Sequence, residues 1–376
     1  MNIVVDGIIY QLQARGGISR IFNEILPRMC RIDDALEISL LMTDKSKQVL
    51  PQYPRLRIHS APRIASFLKP QRFWQPIVEK QQARWLRKVI GETEGKIWHS
   101  TYYTMPDGWR GQQVVTVADM ASELFPDTFD ASGAVEFREH KRSCVLAADA
   151  VICISEVTRQ DVLHQYGIDA GKTHVVLLAY GDIFRQLPEE SLQVSLPVRE
   201  PFLLYVGSRV HYKNFRLLLE AYAAWGRCRE VALLVVGGGE WSPQEKEILV
   251  RFGLTERVQL IPDTDDISLC KLYNRAAAFL YPSLYEGFGI PLLEAMACGC
   301  PVIASHIPAT VEVAGDCPVY FELGETENLV LVLDKTLSEG RYSPQVKAGL
   351  ERVKKFSWDR TAWETVQIYR RLLSTG

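Results

Sequence analysis

The sequence contains no apolar run approaching the roughly 18–20 residues that cross a bilayer. Its start, MNIVVDGIIY, has no basic leader and carries Asp6 inside the apolar stretch, so it reads as a strand and not a signal peptide. Cysteine is present without a pattern. The eight thiols (Cys30, Cys144, Cys153, Cys228, Cys270, Cys298, Cys300, Cys317) form no CxxC, and the lone CxC at Cys298 and Cys300 lacks a second pair to complete a zinc site. Scattered through apolar segments, they read as reduced, buried thiols of a cytoplasmic protein. An excess of one charge is also lacking. With 43 Lys and Arg against 45 Asp and Glu the net charge is −2, which argues against a nucleic-acid coat. No repeat at solenoid periods and no low-complexity tract occur. No complete G-x-G-x-x-G occurs either, which disfavours a dinucleotide oxidoreductase.

What is present is ordinary globular material, 47% hydrophobic and 23% charged, in 376 residues, enough for about two domains. Strand-like runs alternate with helical periods, the pattern of an α/β protein with parallel sheets. Ile3–Ile9 opens the chain as a β-branched run. After the Gln11–Gly17 loop, Ile18, Ile21, Phe22, Ile25, Leu26 and Met29 share one helical face. Further strands are expected at Ile97–Ser100, Val114–Val117 and Ala150–Ser155. The alternation breaks at Asp182–Glu200, with Pro188 and Pro197, which reads as an interdomain linker. It restarts with strands at Leu203–Gly207, Val231–Val236, Val258–Ile261, Ala277–Tyr281 and Pro301–Ala304. Two Rossmann-like domains are therefore expected, at 1–187 and 198–357.

Two segments carry candidate chemistry. In YPSLYEGFGIPLLEAMACGCPVIAS, Pro291 suits the first helical position, so a helix N-terminus falls at Gly289–Ile290. Its free N–H groups favour an anion, and Gly287 and Gly289 permit close approach. Glu294 lies in the first turn, with its side chain tilted back toward that end. A carboxylate there suits sugar hydroxyls better than a phosphate, and Glu286 could reach a second hydroxylated group. The plainer alternatives are a solvated Glu294 that complements the helix dipole and a Glu286 that merely occupies a turn. In LLYVGSRVHYKN, Arg209 and Lys213 follow the carboxyl end of a buried strand, where open α/β sheets bind ligands. The alternative is an ordinary solvated basic loop.

YEGFGIPLLEAM resembles the E-x7-E signature of the retaining family 4 (group 1) glycosyltransferases, and VGSRVHYKN resembles their phosphate-clamping Arg/Lys segment. The Gly16–Gly17 loop, WHSTYYTMP, VVTVADM, AVICISEVT and FSWDRTAWETV follow the same order along nearly the whole chain. The resemblance implies a GT-B fold, two facing Rossmann-like domains with a cleft between them, whose last helix, 358–376, crosses back to the first domain. It implies that Arg209 and Lys213 hold the donor diphosphate and that Glu294 holds the ribose. Glu286 and the backbone of Phe288, Gly289 and Ile290 would hold the sugar, while Gly16 and Gly17 face the phosphates from the other domain. No metal and no cofactor beyond the nucleotide diphosphate sugar is expected. Asp263-Thr264-Asp265, formally a D-x-D, reads better as turn and N-cap chemistry.

One departure concerns the donor. Where the family has His-Asp-Leu, this chain has Ala118-Asp119-Met120. The family's His lies near the donor's C6 hydroxyl, so Ala118 points either to a 6-deoxyhexose donor or to reduced activity. His99 on the neighbouring strand could compensate, although a strand-end His is more often structural. A third feature is compositional: Arg55–Lys88 holds nine Lys/Arg and one acid, Glu79, among Phe67, Phe73, Trp74 and Trp85. Such a stretch suits an anionic membrane surface or acceptor as well as a merely solvated face. The expected function is transfer of a hexose or 6-deoxyhexose of the mannose or rhamnose type to a glycan hydroxyl. The acceptor would be a lipid-linked surface polysaccharide at the inner face of the membrane, with no nucleic-acid partner. The rivals are a nucleotide-sugar 2-epimerase on the same fold and a catalytically silent sugar-nucleotide binding protein.

Overall fold

The computed structural model describes residues 1–61, 71–129, 131–192 and 201–374. The chain divides into two units. One holds Met1–Met120, Ala131–Leu178 and Trp358–Gly376; the other holds Ala121–Asp130 and Ala179–Ser357.

In the first unit, β1 (Asn2–Asp6), β2 (Glu37–Met42), β3 (Leu56–Ser60), β4 (Lys96–Ser100), β5 (Gln112–Val117), β6 (Ala150–Cys153) and β7 (Thr173–Val175) form one sheet. Its order is β3-β2-β1-β4-β5-β6-β7, and every pairing is parallel. The second unit repeats the plan. There β8 (Phe202–Val206), β9 (Ala232–Val236), β10 (Val258–Ile261), β11 (Ala278–Tyr281), β12 (Val302–Ser305) and β13 (Val319–Phe321) run parallel in the order β10-β9-β8-β11-β12-β13. Sheets covered on both faces need strands apolar on both faces, which is why Leu203, Leu204, Leu233, Leu234 and Val235 are all fully buried. In each sheet the first strand has later strands on both sides. That switch point, between β1 and β4 and again between β8 and β11, opens a crevice at the strands' carboxyl ends.

Helix Gly17–Ile32 buries Ile21, Phe22, Ile25, Leu26 and Met29, with Ile18 half-buried at its start. Against it lies the last helix, Trp358–Ser374. Arg370 donates to Asp33 at 2.8 Å and Arg31 to Asp359 at 2.5 Å. Residues 183–187 are tied to helix Asp266–Arg275: Asn274 donates to the Arg185 carbonyl and accepts from the Leu187 N–H, both at 2.9 Å. The chain thus enters the second unit well before Pro188.

Of the basic stretch, residues 62–70 and the side chains of 71–79 lie outside the described residues, so Arg63, Lys69, Arg72, Phe67, Phe73 and Trp74 are not placed. The described part corrects one expectation. Trp85 packs inward on the cluster of Val4, Leu41, Ile90 and Trp98, because helix Gln71–Ile90 needs an apolar face toward the sheet. Lys80, Arg84, Arg87 and Lys88 remain exposed. Among the described residues no helix is long and apolar enough to cross a membrane.

Candidate active site

The two sequence segments meet at the switch point of the second unit. β8 ends at Val206, and the loop beyond it turns through the 3-10 turn His211–Lys213 into helix Phe215–Ala224. Asn214 makes that turn with φ of 55°, a left-handed conformation that Asn tolerates. β11 ends at Tyr281, and its loop runs to helix Ile290–Ala297. A backbone hydrogen bond from the Leu284 N–H to the Tyr212 carbonyl, at 2.8 Å, ties one loop to the other.

That tie brings Lys213 to Glu286, 73 residues away, with Nζ 2.7 Å from each carboxylate oxygen. Glu286 is only 7% exposed and takes a further hydrogen bond of 2.6 Å from Ser283 Oγ. Ser305 Oγ donates to the Ser283 carbonyl at 2.5 Å, so β12 fixes the loop that carries the carboxylate. The Tyr281 phenol is pushed well above its ordinary pKa by burial and by the charge of Glu286, with which it is hydrogen-bonded, so it remains a donor. The side chain of Lys213 is one-fifth exposed. The site therefore presents a cation whose own counter-charge is a buried carboxylate.

Beside this pair, helix Ile290–Ala297 begins at Gly289 with φ of 115° and no side-chain cap. A Cβ there would stand 3.0 Å from Leu292 Cδ1, so both conformation and space call for glycine. Phe288 is buried and Ile290 half-buried. Glu294 is 4% exposed and accepts from the Tyr273 hydroxyl at 3.3 Å. A solvated Glu294 is thereby excluded.

Arg209 differs from expectation. Its side chain is 4% exposed and its guanidinium is engaged by Glu245 at 2.6 Å and by the Gly237 and Glu240 carbonyls at 2.6 and 2.9 Å. The alternative of a solvated basic loop is excluded for this side chain, because an acidic partner waits at the next strand's loop. An aromatic group was not foreseen: Tyr212 lies 5.7 Å from Phe125 and 6.4 Å from Phe129, and Phe125 lies 5.9 Å from Tyr285. Phe125 and Phe129 come from Ala121–Asp130, the segment after β5 that joins the second unit.

In the first unit, Gly16 and Gly17 open helix Gly17–Ile32, exposed and without a side-chain cap, and a Cβ on Gly17 would meet nothing. Ala118 is buried just past β5, and the Asp119 carbonyl accepts from Lys141 at 2.8 Å. His99 is corrected to a structural role. It is fully buried, with Nδ1 hydrogen-bonded to the Tyr369 hydroxyl and Nε2 to Thr116 Oγ1 at 2.8 Å, so neither nitrogen is open to a sugar. Asp6, which the sequence reading passed over, sits at the carboxyl end of β1. It accepts from the Thr101 N–H at 3.0 Å and from the Thr101 and Thr104 hydroxyls. Its only sequence signal was a charge inside an apolar run.

Asp265 caps helix Asp266–Arg275, accepting from the Ser268 N–H at 2.8 Å, as turn chemistry predicts for the D-x-D. Among the described residues no group of three or more His, Cys, Asp or Glu is placed to hold a metal ion.

Comparisons with known proteins bear on the family and the fold. Residues 188–345 match the family described as glycosyl transferases group 1. The chain is 25% identical over 370 residues to the O-antigen chain mannosyltransferase B of Escherichia coli, covering 95% of this chain and 96% of that protein. Among solved structures it resembles the sucrose-phosphate synthase of Thermosynechococcus elongatus, with a TM-score of 0.77, 20% identity and full coverage of both chains. It also resembles Anabaena Alr3699/HepE in complex with UDP and glucose, with a TM-score of 0.72, 16% identity and coverage of 98% and 99%. The two parallel-sheet units are those of the GT-B fold.

Proposed function

We propose that the chain, whose residues 188–345 match the glycosyl transferases group 1 family, is a retaining glycosyltransferase that needs no metal. It takes a hexose or 6-deoxyhexose of the mannose or rhamnose type from a nucleotide diphosphate. It delivers the sugar to a hydroxyl of a glycan, a lipid-linked surface polysaccharide. Likeness to a mannosyltransferase of O-antigen chains supports both the sugar class and the acceptor class. One observation carries the proposal: a lysine paired with a buried glutamate beside an uncapped helix N-terminus, at the switch point of a parallel sheet.

The chemistry follows from charge. As the glycosidic bond lengthens, negative charge grows on the departing diphosphate, and fixed donors that meet it there lower the barrier. Lys213 and the N–H groups around Gly289 supply such donors, with Arg209 as the second cation of the segment. Glu286, with the backbone of Phe288, Gly289 and Ile290, holds the sugar, and Glu294 the ribose. Glu286 is held by Lys213 and Ser283, which disfavours it as a nucleophile. The reading is therefore front-face displacement, with the leaving phosphate taking the acceptor proton.

The test is transfer by the purified protein to a polysaccharide fragment, with GDP-mannose and its 6-deoxy counterpart as a matched pair. Product with the donor's anomeric configuration supports the proposal. Inverted product, or epimerised donor without transfer, refutes it. A preference for the 6-deoxy donor would assign Ala118 as the residue that accommodates the C6 methyl.

A further inference from the structure

Arg209 sits in a cradle made for a guanidinium. Its Nε donates to Glu245 Oε1 at 2.6 Å and Nη1 to the Gly237 carbonyl at 2.6 Å. Nη2 donates to the Glu240 and Gly239 carbonyls at 2.9 and 3.2 Å. The guanidinium carbon lies 4.6 Å from the centroid of Trp241. Gly237, Gly238 and Gly239 have φ of 90°, 76° and 72°, and a Cβ on Gly238 would stand 2.6 Å from Arg209 Nη1. The turn after β9 is therefore shaped around this side chain.

Glu245 is fixed independently. It closes the capping box as the third residue of helix Pro243–Arg251: Oε2 accepts from the Ser242 N–H at 2.7 Å, and Ser242 Oγ accepts from the Glu245 N–H at 3.2 Å. Burial acts to raise its pKa, but its hydrogen bonds to Arg209 and Ser242 hold it below the ordinary carboxylate value. Both Glu245 and a diphosphate seek the same planar fork of donors, so one guanidinium cannot satisfy both.

We propose that Glu245, Trp241 and the Gly237–Gly239 turn form a holding site for Arg209, and that the donor's diphosphate draws the guanidinium out of it on binding. Glu245 is then a positioning residue that sets donor affinity without touching the donor. The inference rests on the reading that Arg209 serves the diphosphate. Apparent affinity is the intrinsic affinity scaled by the fraction of molecules whose Arg209 is released, so weakening the hold tightens binding.

The experiment is calorimetric titration of the full chain with GDP and with UDP, using inorganic pyrophosphate as the base-free probe. Glu245→Gln keeps the side chain's shape and removes its charge. It should lower the Kd of the nucleotide diphosphate by about tenfold. In an Arg209→Ala background the same substitution should change nothing. An unchanged or raised Kd in Glu245→Gln overturns the proposal, as does an equal effect of Glu245→Gln with and without Arg209. If Lys213→Ala abolishes binding while Arg209→Ala leaves it intact, the holding site is refuted and the transferase reading survives. If the unmutated chain binds none of the three probes, the reading itself falls. Should Glu245→Gln not fold, tryptophan emission of the unmutated protein serves instead. Saturating nucleotide should change it, with the change lost in Trp241→Phe, and no change overturns the proposal.

Discussion

Replacing Lys213 by Met removes the ammonium while keeping most of the stem, and leaves Glu286 charged, buried and short of its main partner. Breaking a buried pair from one side costs about 3–5 kcal/mol. Lys213 is one-fifth exposed and Ser283 still donates to Glu286, so about 2–4 kcal/mol is expected here. At roughly 2–4 °C per kcal/mol for a unit of this size, Tm should fall by about 4–16 °C. Transfer should fall by about 10²–10³ in kcat/KM, since the cation proposed to meet the leaving group is gone. The decisive variant is the double substitution Lys213→Met with Glu286→Gln. Neutralising the stranded carboxylate should restore most of the lost stability, because an amide can keep the Ser283 contact without a buried charge. It should not restore transfer. Urea unfolding and initial-rate transfer on the same preparations separate the two effects. Recovery of transfer together with stability would mean that the lysine is only a structural partner, and near-normal transfer in Lys213→Met would end the diphosphate assignment.

Acid should weaken the first unit through His99. Burial pushes its pKa from 6.5 down to about 3, so the folded form keeps it neutral while the unfolded chain protonates it as pH falls below about 6.5. That stability is present above 6.5 and declines by about 1.4 kcal/mol per pH unit toward pH 3. Between pH 7 and 5 the unmutated protein should lose about 2 kcal/mol more than His99→Gln in urea unfolding, and parallel losses would show that His99 is not neutral when folded. Gly289→Ala should raise the donor KM at least tenfold, because the added Cβ meets Leu292 at 3.0 Å and the left-handed φ is strained. An unchanged KM would detach the helix start from the donor. Transfer should persist in excess EDTA, whereas loss restored by Mn²⁺ or Mg²⁺ would make Asp263 and Asp265 metal ligands.

The α/β alternation was legible because it rests on short-range pattern, whereas the pairing of Lys213 with Glu286, 73 residues apart, was not foreseen. A β-branched run followed by a glycine turn and a helical period marks a strand's carboxyl end, and two such ends adjoin at a switch point. Strands β2, β3, β7 and β13 were not foreseen, and β7 and β13, with three residues each, are too short to carry a pattern. His99 was left between two readings for a different reason. A strand-end histidine looks the same in sequence whether it faces a crevice or a core, and its partner Tyr369 lies 270 residues away.

Arg209 shows where that kind of legibility stops. VGSR places a cation after a strand, and from that spacing alone the side chain has two destinations, the crevice or the neighbouring loop. The choice is made by Glu245, whose own sequence signal, Ser-x-x-Glu, announces a helix cap and nothing more. One carboxylate oxygen serves the cap and the other takes the arginine, so a local motif acquires a long-range partner only once β8 and β9 lie side by side. Motif spacing identifies which groups carry charge to a site. Which of them are held in reserve depends on the second lone pair of a residue already assigned elsewhere, and that is settled only in three dimensions.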